Sequence, residues 1–407
     1  MTGPSTVDAS RVQEIEADYV LQVYKRLPVV LVRGDGSRVF DANGKDYLDF
    51  LSGIGVASLG HAHPGLADAV AAQARELLHT SNLFFHPLQG QVAKKLAQLS
   101  GLQRTFFTNS GAEAVEACLK FARRYWHTQD GKARTQFVAF DRSFHGRTFG
   151  ALSVTSGPAY RDPFAPLVPG VTFVSPDDPS SLRQAVSDET AAIIVEPIQG
   201  EGGVWPISDA MVEALGAVCA ETGTLLIADE IQCGLGRTGQ PFRSTTVGLQ
   251  PDLMALGKAL GGGVPVGAAV MSERVAGAVA FGDHGSTYGG NLLACRAALV
   301  FLEALETGLL DHVSEAGAHL SAGLRALARD YSVIGEIRGA GLMWGVEVEE
   351  TVAERLVPAA LDKGLIVNRT AGTVIRLLPP LTISNADIDT GLTRLRSAFE
   401  TATARAT

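Results

Sequence analysis

The sequence predicts an α/β protein with a mostly parallel central sheet, helices on both of its faces, and a smaller α+β domain attached. Three observations predict this. Short apolar runs at 105–108, 137–140, 191–195, 225–228 and 253–256 alternate with helix-like stretches, the pattern of a parallel sheet buried on both sides. These runs end in polar or glycine-rich segments, and open α/β sheets bind ligands where their strands end. From Val333 the style changes to a β-α-β-α tail. The expected division is an N-terminal segment and meander over 1–55 that packs with the small domain, a large domain over 56–308 and a small C-terminal domain over 309–407.

Composition narrows the function. The chain has 407 residues, 46% hydrophobic and 19% charged, with a formal net charge of −9. That is an ordinary globular balance, and without a dense Lys/Arg run it argues against a nucleic-acid partner. No apolar stretch is long enough to span a bilayer. Residues 1–20 carry Asp8, Glu14, Glu16 and Asp18 and lack the apolar run of a signal peptide. Cys118, Cys219, Cys233 and Cys295 are scattered with no CxxC, as expected of reduced thiols in a cytoplasmic protein. His61-Ala62-His63 has no Cys or spaced third His beside it, so no metal site is expected.

Taken in order, residues 11–26 read as a helix, and 29–33, 38–41 and 46–50 as an antiparallel meander turned at Asp35-Gly36 and Asn43-Gly44. A loop at 53–64 leads to helices at 66–78 and 91–99, rich in Ala, Leu, Gln and Lys. Strand 105–108 runs into Asn109-Ser110-Gly111, and Ser110-x-x-Glu113 is a capping-box pattern that starts the next helix. Such a helix start can hold a phosphate on its free amides, although an ordinary capped helix has the same pattern. Strand 137–140 ends in Arg142 to Arg147, which includes Phe144; an aromatic there can stack on a planar ligand or fill the core. Arg147 can pair with a carboxylate or form a surface salt bridge. Strand 191–195 ends in Glu196 to Gly203, and helix 208–222 follows. After strands 225–228, 253–256 and 266–271 come a glycine-rich loop at 283–291 and helices at 292–307 and 311–329. The tail alternates over 336–348, turns helical over 351–363, continues as a strand over 374–383 and ends in a helix capped by Ser384-x-x-Asp387.

The chemistry concentrates in 224–263. One buried run delivers Asp229-Glu230 and the next delivers Lys258 between Gly257 and Ala259. A lysine among small apolar residues is poorly solvated, so part of it is a free amine that can form a Schiff base. A carboxylate at the neighbouring strand end is the partner a pyridinium nitrogen needs. With a phosphate-binding helix start at Ser110-Gly111, these features point to pyridoxal phosphate. Taken singly, Asp229-Glu230 would equally cap a turn and Lys258 would equally be a solvated loop lysine. A nicotinamide oxidoreductase is the rival from another class, because Gly234-x-Gly236-x-x-Gly239 follows a strand. Against it, Asp229 and Glu230 would repel a pyrophosphate, and Arg237-Thr238-Gly239-Gln240-Pro241 is turn chemistry.

The motifs GHAHP (60–64), HTSNL (79–83), NSGAEA (109–114), FHGRT (144–148), EPIQGEGG (196–203), DEIQCGLGRTG (229–239), KALGGG (258–263) and GSTYGGN (285–291) occur in one order. In this the chain resembles the class III, fold-type I pyridoxal-phosphate aminotransferases, most closely the acetylornithine branch, from about Tyr24 to the C-terminus. The resemblance implies that Lys258 holds the cofactor and moves the reacting proton, and that Asp229 keeps the pyridine nitrogen protonated. Gln232 would touch the phenolic oxygen, with Ile231 and Phe144 on opposite ring faces. Ser110, Gly111 and Ala112 would bind the phosphate; many relatives carry Thr at the position of Ala112. Ser286 and Thr287 would complete the site of the neighbouring subunit in a homodimer. Arg147 would hold the substrate α-carboxylate, and Arg376 the second carboxylate of glutamate or 2-oxoglutarate, with Glu201 neutralising an arginine when a monoanion is bound. The implied activity is ping-pong transfer of the side-chain amine of an N-acylated diamino acid to 2-oxoglutarate, as in arginine biosynthesis. Ornithine, 4-aminobutyrate or a carrier-linked lysine precursor are the alternative donors. Ile54, in the loop expected at the pocket entrance, stands where enzymes acting on free ornithine carry tyrosine.

Overall fold

The structure is a computed structural model that describes residues 7–129 and 133–404; residues 1–6, 130–132 and 405–407, including the ends of both expected terminal segments, lie outside the described residues. Its centre is a seven-stranded sheet in the spatial order Arg104–Thr108, Gly267–Met271, Leu253–Leu256, Leu225–Asp229, Thr190–Val195, Gln136–Phe140, Val171–Val174. From Leu253–Leu256 to Val171–Val174 the neighbours are parallel, whereas Gly267–Met271 runs antiparallel to both of its neighbours. The mostly parallel sheet predicted from the alternation is therefore present.

Four of these strands, Thr190–Val195, Leu225–Asp229, Leu253–Leu256 and Gly267–Met271, are buried at every position. Burial on both faces explains why their sequences are continuous apolar runs rather than alternating ones. Helix Gly111–Thr128 covers one face, where Ala117, Cys118 and Phe121 cluster with Ile194, Ile227 and Leu253. Helix Asp209–Thr222 covers the other, where Met211 and Leu215 meet Ile193, Val195 and Leu226. Ile193 and Ile194 thus point to opposite sides, as the two-residue period of a strand requires. Ser110 caps helix Gly111–Thr128, its Oγ accepting the Glu113 amide at 3.2 Å. The return bond of the expected capping box is displaced by one residue, since the Glu113 carboxylate accepts the Asn109 amide at 2.6 Å.

Ile334–Ala340, Met343–Val348, Val374–Leu377 and Asn368–Thr370 form an antiparallel sheet in that order. The N-terminal meander, Leu31–Asp35, Arg38–Asp41 and Asp46–Asp49, is extended by Leu365–Ile366, which pairs in parallel with Asp46–Asp49. The first and last parts of the chain thereby share one sheet.

Several boundaries differ from expectation for local reasons. The first helix is Ala9–Tyr19 rather than 11–26, because Asp8 caps it and the backbone turns extended at Val20. The strand expected over 374–383 stops at Leu377, ahead of Pro379-Pro380, which have no amide to donate. The alternating stretch 336–348 is a hairpin turned at Gly341, where φ is +54°. Helices 292–307 and 311–329 are joined through a wide turn, Leu305–Leu309, in which Gly308 adopts φ +104°. Strand Val171–Val174 is broken by Thr172 and strand Asn368–Thr370 is entirely polar, so neither reads as a continuous apolar run.

Two helical glycines give opposite predictions. At Gly216 in Asp209–Thr222 an added Cβ meets no atom within 4 Å, so Gly216→Ala should gain roughly 0.5–1 kcal/mol of helix propensity. At Gly317 in Leu310–Asp330 it would lie 2.4 Å from the Gly341 carbonyl oxygen, and overpacking against backbone costs about 1–3 kcal/mol. Chemical denaturation should move the midpoint up for Gly216→Ala and down for Gly317→Ala.

Candidate active site

Asp229 is the last residue of a wholly buried strand and is itself only 3% exposed. A charge in that position needs partners for both oxygens. Oδ1 accepts the Ile231 amide at 3.1 Å, and Oδ2 lies 2.7 Å from His145 Nδ1. His145 is also buried; its amide donates to Thr155 Oγ1 at 2.8 Å, and its Nε2 has no partner among the described residues. Glu196, at the end of Thr190–Val195, accepts the amides of Phe144 at 3.0 Å and Gly200 at 3.3 Å. Burial pushes its carboxyl up to about 7; His145 works against that shift and the Asp229 carboxylate adds to it. His145 and Glu196 were not singled out from the sequence, although they lie in the FHGRT and EPIQGEGG motifs. Asp229 and His145 are 84 positions apart, and no local pattern pairs residues at that distance.

Lys258 follows strand Leu253–Leu256 and opens the turn Lys258–Gly261 at φ +41°. A non-glycine residue there is strained, a condition that clusters at functional sites. Desolvation lowers its pKa; Glu201 and Asp229 oppose the shift, and Arg376 reinforces it. The Lys258 amine and the Asp229 and Glu201 carboxylates are thus near enough to act on one another.

The helix start lies directly against this lysine. A Cβ on Gly257 would come within 3.1 Å of Gly111 Cα, and one on Gly111 within 2.8 Å of Ile231 Cδ1. A Cβ on Gly146 would fall 2.9 Å from that of Ala112. Ser110, Gly111, Ala112, Ile231, Lys258 and the 144–147 segment therefore converge, and glycine at 111, 146 and 257 is what permits it. Phe144 is half-buried and meets Tyr160 edge-on at 6.3 Å. Arg147 is exposed, lies over the Tyr160 ring at 3.9 Å, and has no ion pair among the described residues.

Across the crevice, fully buried Arg376 in strand Val374–Leu377 forms an ion pair through Nη1 with Glu201. It also donates to Gln232 Oε1 at 3.0 Å and, through Nε, to Asn368 Oδ1 at 3.2 Å, while Nη2 is buried with no hydrogen-bond partner among the described residues. Gln232 Nε2 donates to Glu201 at 3.2 Å. Burial pushes the Glu201 carboxyl up, but Arg376 outweighs it and holds the group below its usual range. Ile54 is 39% exposed, so it is not a core residue of the meander. Its neighbour Gly55 would bring a Cβ to 4.0 Å from Lys258 Cδ. Ser286 Oγ accepts from Asn109 Nδ2 at 3.3 Å and from the Gly289 amide at 3.0 Å, and Thr287 is exposed on this single chain.

The other sequence features have structural roles. Gly234, Gly236 and Gly239 lie in turns, and the next helix, Arg243–Thr246, is a single turn. These glycines therefore do not open a following helix as a dinucleotide site requires. Within that loop Arg237 is buried, its pKa lowered to about 9 by desolvation, and donates to the Leu342 carbonyl at 3.2 Å. His61 Nε2 lies 2.8 Å from Asp49 Oδ2, and His63 Nδ1 accepts the Leu66 amide at the start of helix Pro64–Glu76. Among the described residues no group of three His, Cys, Asp or Glu is placed to hold a metal, and no helix is long and apolar enough to cross a membrane.

Comparison with known proteins places this geometry. Residues 19–399 match the family model described as aminotransferase class-III. A protein of Methanocaldococcus jannaschii named acetylornithine aminotransferase is 46% identical over 387 residues, covering 95% of this chain and 97% of that protein. One of the same name from Aquifex aeolicus is also 46% identical, over 93% of this chain and 99% of its own length. The crystallised ornithine aminotransferase of Toxoplasma gondii, described with partial occupancy of PLP at its active site, superposes with a TM-score of 0.92 at 33% identity, covering 98% of this chain and 96% of that one. The architecture is that of the fold-type I transferases, and the chain belongs to the class III aminotransferases.

Proposed function

We propose that the protein is an acetylornithine aminotransferase that works with pyridoxal phosphate, moving the side-chain amino group of N2-acetylornithine to 2-oxoglutarate. The products are N-acetylglutamate semialdehyde and glutamate. The observation that carries this reading is the desolvated Lys258 amine set among Asp229, the Gly111 helix start and the Glu201–Arg376 pair.

The residues fit the cofactor. The start of helix Gly111–Thr128 offers amides of Ser110, Gly111 and Ala112 to the phosphate, and the half-buried Phe144 and Ile231 can bracket a ring. Gln232 uses one Nε2 hydrogen on Glu201 and keeps a second for the phenolic oxygen. When bound, pyridoxal phosphate supplies the aldehyde that receives the amino group and the conjugated ring that withdraws electrons from the reacting carbon. Asp229, oriented by His145, would keep the pyridine nitrogen protonated. Lys258 Nζ would anchor the cofactor and would serve as the base for the proton on the amine-bearing carbon of the substrate. Its lowered pKa leaves more of it unprotonated and able to act as that base.

Two arginines divide the carboxylates. Arg147 binds the α-carboxylate common to both substrates. Arg376 binds the second carboxylate of 2-oxoglutarate after Glu201 swings away, and Glu201 neutralises it when acetylornithine is bound. Thr287 reaches the cofactor and Ser286 the substrate of the neighbouring subunit across a homodimer interface, in keeping with Thr287 being exposed on the single chain. The four cysteines are free, which suits the reducing cytoplasm. Free ornithine is the second reading, favoured by the structural likeness to an ornithine aminotransferase; 4-aminobutyrate and a carrier-linked lysine precursor involve the same chemistry. Ile54 speaks against free ornithine, because it offers no hydrogen bond to a free α-ammonium, whereas an acetamide is uncharged and its methyl can rest on isoleucine; the HTSNL segment at 79–83 supports the acylated donor over 4-aminobutyrate.

Borohydride reduction of the holoenzyme followed by peptide mapping should place the cofactor on Lys258, and Lys258→Ala should abolish transamination; label on another lysine refutes the assignment. Arg376→Ala should harm the 2-oxoglutarate half-reaction by about 2–5 kcal/mol, the loss for a buried charge-assisted pair, and the donor half-reaction much less. Arg147→Ala should impair both halves, and equal losses from Arg376→Ala would contradict the division. Ile54→Tyr should narrow the preference for acetylornithine over ornithine, measured as the ratio of their kcat/KM values.

A further inference from the structure

The segment Ser52–Gly55 is wound in the left-handed sense. Its φ values are +44° at Ser52, +62° at Gly53, +65° at Ile54 and +76° at Gly55. A β-branched residue at such an angle is a conformational outlier, and strain of that kind persists only where the surroundings over-determine it.

Here they do so from three directions. Buried Asp49 accepts the Leu51 amide at 2.9 Å and the Ser52 amide at 2.8 Å through Oδ1, and its Oδ2 is held by His61 Nε2 at 2.8 Å. Ser52 Oγ donates to the Leu378 carbonyl. Beyond the turn, Ser58 Oγ donates to the Gly55 carbonyl at 3.1 Å and accepts from Arg237 Nη2 at 3.3 Å. The product is a wall beside Lys258, with Gly55 against the lysine stem and Ile54 turned out of the core at 39% exposure.

We propose that Asp49 and His61 are positioning residues for donor selection: acting through the Leu51 and Ser52 amides, they hold the turn left-handed so that Ile54 meets the acyl end of the donor. The inference rests on the reading of Ile54 as part of the donor pocket. His61 keeps Asp49 facing the turn, and Asp49 fixes the backbone. On this proposal the strain at Ile54 is retained because the winding turns its side chain out of the core next to Gly55, which lies against the lysine stem.

Three variants of the holoenzyme test this. Ile54→Gly removes both the side chain and the strain, since glycine adopts left-handed angles freely. Its unfolding midpoint should equal or exceed that of the wild type, while KM for the preferred donor rises about tenfold. A lower midpoint would overturn the claim of strain. His61→Ala should raise KM for that donor severalfold with kcat within about twofold, and His61→Gln, whose amide can still donate to Asp49, should restore most of the loss. An unchanged KM in His61→Ala, or a fall in kcat at constant KM, would overturn the positioning role. Should His61→Ala yield no folded enzyme, the midpoint and KM of Ile54→Gly decide. If the wild type prefers a donor other than acetylornithine, the proposed function fails on its own, and the same KM comparison is made with the preferred donor.

Discussion

The structure depends on keeping a carboxylate inside an apolar sheet. Asp229 closes a strand that is buried at every position, and taking such a group out of water costs several kcal/mol unless its oxygens are bonded. The Ile231 amide and His145 Nδ1 meet that need. His145 is in turn fixed through Thr155, whose hydroxyl also donates to the Ala151 carbonyl. A loop following one strand is thus tied to the end of another two strands away by hydrogen bonds within the chain itself.

Lys258 sits in the field this arrangement creates. Desolvation favours the free amine, while Glu201 and Asp229 favour the ammonium. Glu201 is largely committed to Arg376, so its pull on the lysine is shared with a cation that pushes the other way. Arg376 lies in the antiparallel C-terminal sheet and Glu201 follows a central strand. The amine's protonation is therefore linked to how the two parts of the chain meet. Any substrate carboxylate that displaces Glu201 from Arg376 alters that balance at the moment the base is needed.

Much of this was legible in the sequence. The buried strands, Lys258 and Asp229 at their ends, and the Ser110 cap follow from short-range patterns: continuous apolar runs, small neighbours and a side chain three residues before an acid. What could not be read was contact at long range. Nothing near His145 names Asp229 as its partner, and nothing in Ser52-Gly53-Ile54-Gly55 except its glycines announces a left-handed turn held by Asp49. The strand expected to reach residue 383 ended at Leu377 because a pair of prolines outweighed apolar content. The hairpin turned at Gly341 went unread because its two strands alternate as a single stretch would.

The most direct measurement is the donor half-reaction of the purified holoenzyme, followed by its visible absorbance with acetylornithine, ornithine and 4-aminobutyrate in turn. Acetylornithine should convert the enzyme with at least about a tenfold higher kcat/KM than ornithine, equivalent to about 1.4 kcal/mol in the transition state. Equal or faster conversion by free ornithine would contradict the assignment of an acylated donor.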